Sequence, residues 1–433
     1  MEVEVFRVEE PSAAAVCGDL ERAGFAWARF GDEIAVVGSE GGSAAGAVGR
    51  ATNARAPVVA RRSEAVEAGD LHLVQQKGRL FQHEHPEVPV LLDKGRFLLV
   101  RLTPAQRDAL SIGDELCYRV SPLELGTVAF EARGRPAARG VGSAWVGELV
   151  AAIDSQRIRR NMERLTGLHT RFSTSTGYGE AADFAHAQLE GAGFKVERME
   201  IRVHGRPSQN VVATRPGQGA ADDADSRKRL LVVAHLDSLN DGAGPGSRAP
   251  GADDNASGSV GALEIAHVLG SHPGLLDLQV ILFGGEEQGL VGSKEFLLVL
   301  PNAERERIEA VVNMDMIGRM NAPAPTVLLE GGEISRPMIE ALEDAAANHT
   351  GLAVQVSFHP HDSDHEPFIL EGIPAALTIE GADGANGDVH SDRDTLDKID
   401  IDFMAEVLRM NVAYVATALG RAEPPAPTEP VPA

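Results

Sequence analysis

Three apolar runs, each the length of a buried strand, end directly on histidine or acidic residues, and this feature restricts the fold more than any other. Leu230 to Ala234 leads into His235 and then Asp237. Leu278 to Phe283 leads through two glycines into Glu286 and Glu287, and Ala310 to Met314 leads into Asp315. Runs that are apolar throughout, without alternation, belong to a mainly parallel sheet covered on both faces. A fourth such run, Ala375 to Ile379, and two amphipathic stretches, Ser257 to Leu269 and Ser335 to Asn348, supply the alternation of strand and helix that such a sheet needs.

Open sheets of this kind place their ligand sites at the carboxyl ends of the strands. Charged residues adjoining apolar strands are costly to bury unless paired or bound to a metal, so several converging on one edge require a shared cationic partner. Imidazole and carboxylate donors both suit zinc. The two cysteines, Cys17 and Cys117, lie far apart without CxxC spacing and outside this half of the chain. A Cys-rich structural zinc site is thereby excluded there, and the expected centre is a catalytic one with room for water.

The segments AHLDS (234–238), GADDNASG (251–258), FGGEEQGLVGSKEF (283–296), NMDMIG (313–318) and VHSDRDTLDKID (389–400) resemble, in order, those of the co-catalytic zinc aminopeptidase family. That family includes bacterial leucine aminopeptidases and glutamate carboxypeptidase, and the resemblance covers roughly residues 150 to 420. It implies two zinc ions bridged by Asp253, with His235 and Asp315 completing one site and Glu287 and His390 the other. It also implies Glu286 as general base and Asp237 as a hydrogen-bond partner fixing the tautomer of His235. By the same resemblance the bond between Asp253 and Asp254 is expected to be cis. The implied activity is hydrolysis of N-terminal residues from peptides. A carboxypeptidase or dipeptidase on the same site, a glutaminyl cyclase-like transferase, and a relative that has lost its metals are the alternatives; the complete ligand set speaks against the last.

With 433 residues, two domains are expected. Residues 146–422 read as a three-layer α/β/α catalytic domain with a mainly parallel mixed sheet. Residues 1–145 read as a small α+β domain, with β-like runs Val3 to Val8, Glu33 to Val37 and Arg96 to Leu102 and a helix start at Thr103-Pro104-Ala105-Gln106. Its position ahead of the catalytic domain suggests that it covers or narrows the active site and restricts it to short peptides. Gly38 to Val48 reads as a flexible surface segment, Ala132 to Gly142 as an interdomain connection, and residues 423–433 as a disordered proline-rich tail.

A net charge of −24 opposes attraction to nucleic acid or an anionic membrane surface, so peptides are the expected partners. The first residues lack a positively charged stretch followed by an apolar one, which gives the expectation of a cytoplasmic chain, or of a secreted one had a signal been removed. Two further clusters look metal-like by composition. In HPHDSDHEPF, holding His359, His361, Asp362, Asp364 and His365, the resemblance implies pocket-shaping residues beside the active site. His83-Glu84-His85, followed by proline, is expected to be an exposed loop.

Overall fold

The computed structural model describes residues 2–8, 12–38, 44–51, 62–110, 117–138, 143–219 and 227–421. The first part of the chain supplies β1 (Glu2–Arg7), β2 (Ala26–Phe30), β3 (Glu33–Gly38), β4 (Arg62–Ala65), β5 (Leu71–Gln76), β6 (Val90–Lys94), β7 (Phe97–Arg101), β8 (Tyr118–Pro122) and β9 (Thr127–Gly134). There follow β10 (Lys195–Val203), β11 (Arg206–Arg215), β12 (Arg229–His235), β13 (Asp277–Phe283), β14 (Ile308–Met314), β15 (Thr326–Gly331), β16 (Ala353–Ser357) and β17 (Ala375–Glu380).

The fold is mixed α/β, built on a sheet ordered β10-β11-β13-β12-β14-β17-β15-β16-β9-β2-β3-β1-β4. Its middle, β13-β12-β14-β17, is parallel, and every residue of β12, β13 and β17 is buried. That burial explains why these strands are apolar throughout. Helices cover both faces. Gly258–Gly270 and Ile401–Leu419 pack with Arg336–His349 on one side, while Val291–Val299 and His365–Leu370 meet Leu231, Val233, Ile281 and Phe283 on the other.

The first part of the chain joins this architecture in two ways. Strand β9 pairs antiparallel with β16 and parallel with β2, which carries the sheet onward. A second sheet, β6-β7-β5-β8, shares a core with the first: Leu71, Leu73, Phe97 and Leu99 cluster with Met316, Leu328, Leu377, Ile379 and Val389.

Ala132, expected to open a connection, is therefore a ladder residue, paired with Gln355. The stretch beyond Gly38 also differs from the expected flexible surface. Its residues 39–43 lie outside the described ones, but Ala45–Ala51 is a helix, with Ala44, Ala47 and Val48 buried among Val16, Leu20 and Val36. Small side chains permit that close packing while reading as a polar-looking, glycine-rich segment. The expected tail lies outside the described residues. No helix among the described residues is long and apolar enough to cross a membrane.

Candidate metal centre

Parallel pairing of β12 with β13 and β14 sets their carboxyl ends side by side, and the acids and histidine that follow them meet there. His235 is the last residue of β12, and Asp315 follows the last residue of β14. Glu286 and Glu287 follow β13 after a turn in which Gly285 adopts φ +72°, a conformation that glycine reaches without steric cost. Gly292 lies in the helix Val291–Val299. A Cβ there would stand 2.4 Å from the carbonyl oxygen of Gly284, so the residue is fixed by close packing.

The geometry centres on Asp254. Its Oδ1 lies 3.2 Å from His235 Nε2 and its Oδ2 lies 3.3 Å from His390 Nε2. His235 Nε2 is also 3.3 Å from Asp315 Oδ1 and 3.7 Å from Glu286 Oε2, while His390 Nε2 is 2.8 Å from Glu287 Oε2. All of these side chains are buried. Two triads, His235–Glu286–Asp315 and His235–Asp254–Glu287, bring their donor atoms within 4.8 Å of one another.

Asp253, expected to be the bridge, faces the other way. Its Oδ1 accepts from Gly318 N and its Oδ2 from Asn386 Nδ2, both at 2.9 Å. The loop after β14 and the loop after β17 thus claim this carboxylate for structure, and the next residue along the turn points into the cluster. The cis bond is displaced by the same single residue, lying between Asp254 and Asn255. Asp394 holds the turn from behind, accepting from Asp253 N and Asp254 N at 3.0 Å.

Asp237 stands 3.6 Å from His235 Nδ1, beyond hydrogen-bonding distance. It holds the turn of the paired glutamates, accepting from Glu286 N and Glu287 N at 3.4 Å and from Ser173 Oγ at 2.8 Å. His390 adopts φ +54° and its Nδ1 is 2.8 Å from Asp241 Oδ2. Arg171, fully buried, donates to the carbonyls of Leu236 and Gly251, tying the His235 and Asp254 loops together; burial lowers its pKa to about 10.

Several residues here escaped the sequence reading. Asp241 and Arg171 had no motif to mark them. Lys77 and Cys117 come from the first part of the chain: Lys77 Nζ lies 3.2 Å from Glu286 Oε1 and 3.3 Å from Asp315 Oδ2, and Cys117 Sγ lies 3.9 Å from His390 Nδ1. The HPHDSDHEPF segment reaches the cluster through Ser363, which donates to Asp315 Oδ2 at 2.8 Å. His83 and Glu84 are exposed as expected but close the short helix Leu80–Glu84 rather than lie in a loop, and His85 Nε2 lies 2.7 Å from the Tyr118 hydroxyl of the second sheet.

The donor set fits a metal cation. Both oxygens of Asp254, both of Glu287, and the ring nitrogen His390 Nε2 are buried without a hydrogen-bond partner. Orphaned polar atoms in this number are costly unless a cation satisfies them. The electrostatics agree. Burial pushes the Glu286 carboxyl well above the usual range, and it also acts to lower His235, but the Glu286 and Asp315 carboxylates outweigh that and raise the imidazole. Carboxylates this crowded favour any positive partner.

Residues 210–415, which carry all seven residues named for the site from the sequence as well as Asp254, match the model of peptidase family M28. A probable leucine aminopeptidase of Trichophyton verrucosum is 28% identical over 295 residues, covering 65% of this chain and 77% of that one. Leupeptin-inactivating enzyme 1 of Streptomyces exfoliatus is 33% identical over 213 residues, 48% of this chain and 44% of that longer protein. Among solved structures, the LapA aminopeptidase of Legionella pneumophila has a TM-score of 0.57 at 20% identity and covers 81% of this chain and 99% of that one. BSAP, a zinc aminopeptidase from Bacillus subtilis, has a TM-score of 0.55 at 16% identity, covering 62% and 96%. The family match falls on the very strands and turns that build the cluster, and it is these residues, 210–415, that carry the likeness to peptidase family M28.

Proposed function

We propose that this peptidase is a zinc-dependent aminopeptidase that releases residues from the N-terminus of peptides. The observation that carries this reading is the division of Asp254 between the two histidines, one carboxylate oxygen toward each. Asp254 would bridge two zinc ions, with His235 and Asp315 completing one site and Glu287 and His390 the other. Bound there, the ions would polarise the scissile carbonyl and lower the pKa of water.

The chain's own groups supply the rest. Glu286 lies at the edge of the cluster with Oε2 toward His235, placed to accept a proton from water and return it to the departing amine. Asp237 keeps the turn such that Glu286 and Glu287 point to different tasks, one to the proton and one to the metal. The low-exposure setting excludes bulk water and strengthens each of these interactions.

The test is mass spectrometry of products from peptides with free, acetylated and amidated ends, incubated with zinc-loaded protein. Stepwise loss from free N-termini, blocked by acetylation, is expected. Loss from the C-terminus, cleavage of dipeptides alone, or pyroglutamate formation would move the activity to a carboxypeptidase, a dipeptidase or a cyclase.

A further inference from the structure

Lys77 belongs to none of the motifs that mark the centre, yet it is buried against two of its members. It follows β5, and its backbone is fixed on both sides: Gln76 N donates to Arg96 O at 2.9 Å and Lys77 N donates to Cys117 O at 3.0 Å. Gly78 then turns at φ +53°, where a Cβ would lie 2.9 Å from both Asn386 O and Val389 Cγ2. The second sheet is thereby seated directly on the loop that carries His390.

The carboxylates that Lys77 touches are divided in a consistent way. Glu286 gives Oε1 to Lys77 and turns Oε2 toward His235; Asp315 gives Oδ2 to Lys77 and to the Ser363 hydroxyl and turns Oδ1 toward His235. Asp254 and Glu287, to which Lys77 makes no hydrogen bond, keep both oxygens without a hydrogen-bond partner. An ammonium on the outer oxygen of a carboxylate fixes its rotation and leaves the inner oxygen aimed at the centre.

We propose that Lys77 is a positioning residue of the catalytic centre, supplied by the first part of the chain, holding the outer oxygens of Glu286 and Asp315 so that their inner oxygens face the metal side. This rests on the two-zinc reading above. It gives the second sheet, through Lys77, a part in the reaction.

The test uses the full chain with Lys77→Met and Lys77→Arg, read by calorimetric zinc titration of metal-free protein and by kcat and KM on a peptide substrate. For Lys77→Met, zinc affinity at one of the two sites and kcat should each fall about 10–100-fold, the range for removing a partner of a ligand, with KM nearly unchanged. Lys77→Arg should restore part of both. Unchanged zinc affinity and kcat in Lys77→Met would overturn the proposal, and so would a rise in activity, which would make Lys77 a plug in the site. Should Lys77→Met not fold, Lys77→Gln is read by the same outcomes. A wild-type chain that binds no zinc would sink the two-zinc reading itself, whereas two zinc ions in the wild type with an indifferent Lys77→Met sink the Lys77 proposal alone.

Discussion

Adjacent aspartates at 253 and 254 show where sequence reading stops at the scale of a residue. Both are buried and acidic, and the GADD motif marks the pair without saying which carboxylate turns inward. The choice is made by groups distant in sequence: Gly318 N and the Asn386 amide take Asp253, leaving Asp254 to the histidines. Asp254→Asn should therefore weaken zinc binding beyond the roughly 10–100-fold expected of outer partners, whereas Asp253→Asn should stay within that range. Zinc titration of the two variants checks this, and equal losses would return the bridge to doubt. His235, Glu286, Glu287, Asp315 and His390 were legible because each sits in a motif at a strand end or loop; Lys77, Asp241 and Arg171 act through tertiary contacts that leave no local pattern.

At the scale of elements, the parallel strands could be read directly, because burial on both faces demands an unbroken apolar run. The pairing of β9 with β16 could not, since an edge ladder is specified by backbone groups that every residue carries. One ion pair across the shared core offers a measurable handle. Arg96, immediately before β7, donates through Nε and Nη2 to the two oxygens of Glu330 on β15 at 2.9 and 3.0 Å, fully buried. Burial pushes the Glu330 carboxyl up, but the Arg96 guanidinium and His365 together more than offset this and hold it at about 2, below its ordinary 4.5. A carboxyl depressed in this way adds stability that is fully present above pH 4.5 and is lost as pH falls through about 2. Arg96→Met should cost about 3–5 kcal/mol at neutral pH, as expected when one partner of a buried ion pair is removed, and should shrink the loss of stability between pH 4.5 and 2, His365 and His361 N keeping the remainder. Urea unfolding across that window decides it; an unaltered pH slope would mean that the pair is not what holds Glu330 ionised.

For the whole molecule, the reading of an acidic chain with a covered parallel sheet and a site at its carboxyl edge carried over into the structure. The boundary read near residue 145 could not show that the two parts share a core, because Leu71, Leu99, Leu328 and Leu377 are all ordinary apolar residues wherever they pack. What joins the parts also closes the site, with the second sheet bringing Lys77 and Cys117 to a cluster built by β12, β13 and β14. The central claim is that this cluster is a two-zinc centre, and an anomalous-difference map at the zinc edge, from crystals of zinc-loaded protein, tests it most directly. The account predicts two peaks roughly 3.5–4 Å apart, one among His235, Asp254 and Asp315 and the other among Asp254, Glu287 and His390. A single peak, none, or density beside Asp253 or among His359, His361 and His365 would contradict it.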